Sequence, residues 1–165
     1  MASRFLLTLA LLGLAARVAA GSAEPPPRSA STAAIEIARE SQAQWRIGPL
    51  TLRTRETRAI RVRAELLAGG RVVARLRVDP ATGGFLAEDQ RPSSTAAPPD
   101  LVRLRAEVER ELAHLEIGGW AWPSYHGRAW AVPLRYRERV VGKIKVDVQG
   151  RRLLARERHD QEDDD

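Results

Sequence analysis

Three sets of residues in this chain could do chemistry, each of a different kind. Arg61, Arg63, Arg75, Arg77, Arg135, Arg137, Lys143 and Lys145 fall at alternate positions of apolar segments, so on extended backbone they share faces opposite the apolar set. Cationic stripes of that kind attract an anionic partner: a lipid headgroup surface, a polyanionic glycan or an acidic protein. A second set lies in GGWAWPSYHG at 118–127, which offers Trp120, Trp122, Tyr125 and His126. Two-residue spacing would put Trp120 and Trp122 on one side, either filling a core or lining an aromatic groove for a peptide or glycan with His126 at its rim. The third set is the C-terminal HDQEDDD, where His159, Asp160, Glu162, Asp163, Asp164 and Asp165 supply an imidazole and carboxylates suited to a divalent or trivalent metal ion. Contiguous acids without EF-hand spacing or an internal Gly make only a weak metal site. A solvated tail that aids solubility or folds back electrostatically is the plainer reading.

Catalysis has less to work with. The chain has no Cys, so thiolate nucleophiles and Cys metal sites are excluded. Its three His residues, His114, His126 and His159, have no convincing partner set, and no nucleophile elbow surrounds Ser124 in Ser-Tyr-His. His114, near the predicted end of a helix, reads as a partner of the helix dipole. The expectation is a non-catalytic protein that needs no cofactor.

The elements that must position these residues are legible from a repeat. RVVARLRVD at 71–79 returns as RVVGKIKVD at 139–147, and sliding one copy along the other pairs Val62 with Trp130, Leu66 with Leu134 and Val78 with Val146 without a gap. In the first copy Ile60, Val62, Ala64 and Leu66 alternate with charged residues, and a Gly69-Gly70 turn leads into Val72, Ala74, Leu76 and Val78. In the second, Trp130, Val132, Leu134 and Tyr136 precede Val140, Ile144 and Val146 in the same way. Each copy therefore predicts a β-hairpin.

A helical pattern precedes each hairpin. After the N-cap Asp100, Leu101, Leu104, Val108, Leu112 and Leu115 recur at helical spacing up to a Gly118-Gly119 stop. The earlier stretch 32–45 carries Ile35, Ala38 and Trp45 along one side, with Thr32 or Ser31 as cap. These elements give an α+β class with two tandem helix-plus-antiparallel-sheet units, 32–90 and 100–158, in each of which one apolar helix face covers one apolar sheet face. The Pro- and Ser-rich stretch 91–99 reads as a linker, and 159–165 as an acidic tail.

The N-terminus, MASRFLLTLALLGLAARVAAGSA, has one Arg, an apolar run from Phe5 to Ala16 and small residues before a cleavage point: an export signal over 1–23, with a flexible leader over 24–31. The run falls short of the ~20 residues of a spanning helix, so no transmembrane segment is expected after cleavage. Export points to a periplasmic or secreted protein, and it argues against nucleic acid as a partner even though the formal net charge is +6. A chain without Cys in that compartment must hold its fold by burial and pairing alone.

At Val78-Asp-Pro-Ala-Thr-Gly-Gly-Phe-Leu the sequence resembles the closing motif of PepSY-type domains, in which a strand ends in Val-Asp, turns through a Thr-Gly pair and resumes with an aliphatic residue. Asp79 can accept from turn amides, Pro80 presets its φ, and Gly83 can take φ > 0. The second copy keeps Val146, Asp147 and Gly150 but has Gln149 where Thr would stand. The resemblance implies an envelope or secreted location and a non-catalytic role, because such domains accompany peptidase propeptides and membrane-associated proteins and are linked to modulating proteases or binding ligands. The function expected is a binding or regulatory protein of the cell envelope, its partner a protein or an anionic envelope component. The alternative is a periplasmic metal-ion or small-ligand binding protein.

Overall fold

Strict alternation of apolar and charged residues needs a sheet with one covered face. The computed structural model, which describes residues 28–54, 60–93, 98–124 and 126–156, provides two. The expected signal peptide, part of the leader and the acidic tail lie outside the described residues. The protein is α+β, with two α-helices and two antiparallel sheets among the described residues.

The first sheet has the order β1-β2-β3-β4, with β1 Trp45–Thr54, β2 Ile60–Ala68, β3 Arg71–Val78 and β4 Phe85–Leu86. The second is built on β7, Ala129–Tyr136. One edge of β7 pairs with β8, Arg139–Asp147, and the other with two short strands, β5 Leu115–Ile117 and β6 Trp122–Ser124.

The two repeated segments are β3 and β8, and their registers agree in detail. Leu66 faces Ala74 and Leu67 faces Val72, leaving Val73 as an extra residue; Leu134 faces Gly142 and Arg135 faces Val140, leaving Val141 as its counterpart. These β-bulges change which Val is buried. Val140, expected in the apolar set, is exposed, while Val73 and Val141 are buried.

Both helices differ from their sequence outlines. α1 spans Arg28–Ser41, so it starts inside the stretch read as leader and ends before Trp45. The Trp45 indole N–H donates to Ser41 Oγ, which itself donates to the Ala38 carbonyl. That knot, followed by a 3₁₀ turn at Gln42–Gln44, puts Trp45 at the start of β1 instead of the end of a helix. α2 spans Leu101–Glu111, capped as expected by Asp100, whose carboxylate accepts from the Val102 and Arg103 amides. A second 3₁₀ turn, Leu112–His114, ends it well before Gly118, and Leu115 becomes a strand residue.

The covering of the sheets is crossed. α2 lies on the first sheet: Leu104 and Val108 are buried with Leu66, Leu76, Val78 and Phe85, and Arg105 donates to the Ile47 carbonyl of β1 at 3.0 Å. α1 lies on the second: Ala34 and Ala38 are buried with Trp130, Val132 and Val146. Each buried Leu, Val or Phe side chain among these contributes about 1.5–3 kcal/mol, and each Ala methyl less. So the helix that precedes a hairpin in sequence covers the other hairpin.

The two closing turns confirm the crossing. Gly83, at φ +73°, is where a Cβ would come within 2.5 Å of Glu107 Cβ on α2. Gly150, at φ +67°, is where one would come within 2.9 Å of the Ala30 carbonyl and Ala33 Cβ on α1. Both glycines are needed twice, for the backbone conformation and for the helix that rests on them.

Between the sheets β3 meets β8, and Leu115, Leu134 and Ile144 of the second sheet join the core of the first. The C-terminal segment then ties them together: the Leu154 amide donates to the Lys145 carbonyl and the Arg156 amide to the Val72 carbonyl, at 2.9 and 2.8 Å. No helix among the described residues is long and apolar enough to cross a membrane.

Candidate anion-binding groove

Because β3 and β8 meet with their charged faces on the same side, the stripes of the two sheets turn into one open groove of about 720 Å³. Arg61 and Arg63 of β2 and Arg75 and Arg77 of β3 line it from the first sheet; Lys143 and Lys145 of β8 line it from the second. The bulge residues Val73 and Val141 form part of its wall. Arg91, Arg156 and the carboxylates of Glu88 and Asp89 complete the charged lining. A concave site lined mainly by one sign of charge focuses the field on whatever enters it.

The cations are not equivalent. Arg77 is committed to holding the chain after β4: its guanidinium donates to the carbonyls of Ala87, Glu88 and Gln90 at 3.1, 2.6 and 2.7 Å. Arg75 pairs with Glu65 across the hairpin at 3.4 Å, both side chains mostly buried. Arg61 and Lys143, on opposite walls, make no hydrogen bond or ion pair among the described residues. The groove's capacity for an external anion therefore centres on Arg61 and Lys143 more than on Arg75 and Arg77.

Two of the eight expected cations lie elsewhere. Arg137 is not on a strand face at all: with Glu138 it forms the two-residue β7–β8 turn, at φ 48° and 68°, and its guanidinium sits 4.9 Å from the centre of the Tyr136 ring. Arg135 lies beside that turn, its Nη2 at 3.5 Å from the Glu138 carbonyl. Where β2 presents Arg61 and Arg63, the matching positions of β7 are Ala129 and Ala131, both buried.

The aromatic segment is divided by the structure. Trp122 opens β6 and lines the groove, about one third exposed. Trp120 lies in the loop before it, exposed, its ring against Gly118. Neither fills the core, a role taken by Trp130, which is buried and donates to the Val148 carbonyl at 3.1 Å. His126 is exposed at φ 54° in the turn after β6 and does not line the groove. Tyr125 lies outside the described residues, as do His159, Asp160, Glu162, Asp163, Asp164 and Asp165. Among the described residues no group of three or more His, Asp and Glu side chains is placed to hold a metal ion.

One wall of the groove is braced by the Asp79 turn. The Asp79 carboxylate accepts from the Ala81 and Thr82 amides at 2.8 and 3.3 Å and from the Ser93 amide and hydroxyl at 3.1 and 2.7 Å. Burial pushes its pKa up, but the hydrogen bonds from Ser93, Ala81 and Thr82 together outweigh burial and hold it below the usual carboxylate value. With Arg77 this fixes the path of residues 79–93, which brings Glu88, Asp89 and Arg91 to the rim.

Arg91 and Arg156 escape any reading of periodicity, because loop closure and not strand alternation delivers them. The hydrogen bond of Arg156 to Val72 is a contact between distant segments with no local signal. Comparison of the chain with family models, curated proteins and solved structures returned no match.

Proposed function

We propose that the protein is a non-catalytic binding module of the cell envelope that takes an acidic segment of a partner protein into the groove between its sheets. The observation that carries this reading is the convergence of cations from β2, β3 and β8 on one concave site, with Arg61 and Lys143 facing it from opposite walls. A flat lipid surface cannot enter such a concavity, whereas an extended chain with carboxylates can. Trp122 offers it an apolar surface beside the charges, the combination of hydrophobic wall and few placed polar groups common in binding sites. The resemblance of the Val78 to Leu86 turn to PepSY-type domains supports the envelope location and the regulatory role, with a protease among the candidate partners.

The test is titration of a hexaglutamate peptide, a heparin fragment and phosphatidylglycerol vesicles at low salt. Hexaglutamate should bind, and the double reversal Arg61→Glu with Lys143→Glu should weaken it at least tenfold, with Arg135→Glu leaving it unchanged. Equal binding by the double variant would remove the groove as the site. Preference for heparin or vesicles would reassign the partner.

A further inference from the structure

The chain leaves the described structure at a telling place. Arg156, the last described residue, lines the groove itself, and its amide is fixed to Val72 of β3. Two residues earlier, Leu154 is bonded to the backbone of Lys145 on the other wall. The sequence that follows is ERHDQEDDD, residues 157–165, in which six of nine side chains are carboxylic acids. Nine extended residues reach about 30 Å, enough to run the length of a small groove.

We propose that this acidic segment docks into the cationic groove of its own chain and competes there with the acidic partner. The inference rests on the groove being an anion site, as proposed above, and adds its regulation. Tethering gives the segment an effective concentration in the millimolar range without demanding high intrinsic affinity. A partner must then displace it, so occupancy depends on how far the partner's charge exceeds the tail's. Both docked forms weaken with salt, since the attraction is between largely solvated charges.

The composition supplies a direct probe, because Lys143 and Lys145 are the only lysines in the chain and both line the groove. Zero-length carbodiimide coupling of the full-length protein at low concentration, followed by peptide mapping of the monomer, should join Lys143 or Lys145 to Asp160, Glu162, Asp163, Asp164 or Asp165. Coupling only to Glu88 or Asp89, the groove's own acids, would overturn the proposal. In parallel, a full-length variant with Asp160→Asn, Glu162→Gln, Asp163→Asn, Asp164→Asn and Asp165→Asn should bind hexaglutamate five- to tenfold more tightly than the parent at low salt, the difference vanishing near 0.5 M salt. Equal affinities overturn the competition and leave the groove as a binding site. A lysine-to-tail link combined with no hexaglutamate binding, even by the neutralised variant, overturns the binding function and leaves the intramolecular docking.

Discussion

The two sheets share a hairpin, a bulge and a glycine turn, yet they treat their uncovered faces in opposite ways. In the first, β2 keeps Arg61, Arg63 and Glu65 on that side, half-buried beside the groove, and β1 runs as one strand from Trp45 to Thr54, its pairing with β2 irregular at Gly48-Pro49. In the second, the corresponding positions of β7 are Ala129, Ala131 and Pro133, all buried, and the strand alongside is split into β5 and β6. Pro133 lies at the split, between Leu134, which faces Ile117, and Ala131, which faces Trp122. A proline in a sheet has no N–H to give a neighbour, so a paired edge strand is hard to sustain there. The chain loops out instead, Gly118 donates to the Pro133 carbonyl at 2.9 Å, and the loop carries Trp120 outward. Pro133 stands in β7 where β2 has Glu65, and the break between β5 and β6 falls beside it. The sheets are alike where they fold and different where they border the groove.

The comparison can be broken most sharply at the glycine turns. Gly83→Ala should destabilise the protein by about 2–4 kcal/mol, the sum of overpacking against α2 and a left-handed alanine. Gly150→Ala should cost about as much through α1. Hydrogen exchange separates them: the first should loosen the amides around Glu107 and Val108, the second those of Ala33 and Ala34. If each instead loosened the helix that precedes it in sequence, the crossed arrangement would be wrong.

The aspartates of the same turns should differ in strength. Among the described residues the Asp79 carboxylate accepts four hydrogen bonds, whereas that of Asp147 accepts one, from the Arg151 amide, and pairs with exposed Arg152 at 3.4 Å. Asp79→Asn should cost about 2 kcal/mol and Asp147→Asn about 1, measured by urea unfolding. The folded-state pKa of Asp79 is depressed, so its stabilisation is present above the unfolded value of 3.8 and is lost as pH falls through the lower folded one. Asp79→Asn should flatten that acid limb.

Tyr136 has no counterpart in the first sheet, where Ala68 holds the same place before the turn. Its hydroxyl donates to Glu111 at 2.5 Å, and its ring meets Phe85 edge-on at 5.4 Å. Burial, with the Glu111 carboxylate beside it, raises its pKa from 10.0 to about 12. Its contribution is therefore complete below pH 10 and declines as pH rises from there through about 12. Tyr136→Phe should cost about 1 kcal/mol at neutral pH and remove that alkaline decline.

The smallest effect is expected at the hairpin turns. Gly69 and Gly70 take positive φ without strain, while Arg137 and Glu138 do so as ordinary residues. Glu138→Gly should stabilise by up to about 1 kcal/mol, and Gly70→Ala should destabilise by a similar amount.

These contrasts also mark how far the sequence could be read. Alternation in 60–66 and 130–136 gave the hairpins and their buried faces, and Asp100 announced its helix, because strand period and capping are local properties. Asp79 and Gly83 could be assigned roles for the same reason. Local pattern could not say which sheet each helix would cover, since both apolar helix faces suit either. It also overran both helices, because a knot through Ser41 and a 3₁₀ turn leave no periodic trace. The bulges at Val73 and Val141 invisibly shifted which valine faces inward. At the groove, the stripes on β2, β3 and β8 were legible, but their convergence was not, and neither was the commitment of Arg77 to backbone carbonyls. Pro133 was the overlooked clue, a residue at odds with an otherwise regular strand.

The crossed helices also constrain the order in which the molecule can assemble. A chain emerging from its N-terminus completes the first hairpin before α2 exists, and α1 must wait for β7 and β8 at the far end. Neither half can close its own core early, so the rate-limiting event should be the meeting of distant segments, an entropically slow step typical of high contact order. The same arrangement means that a protease cut between β4 and α2 would nick the chain without freeing either half.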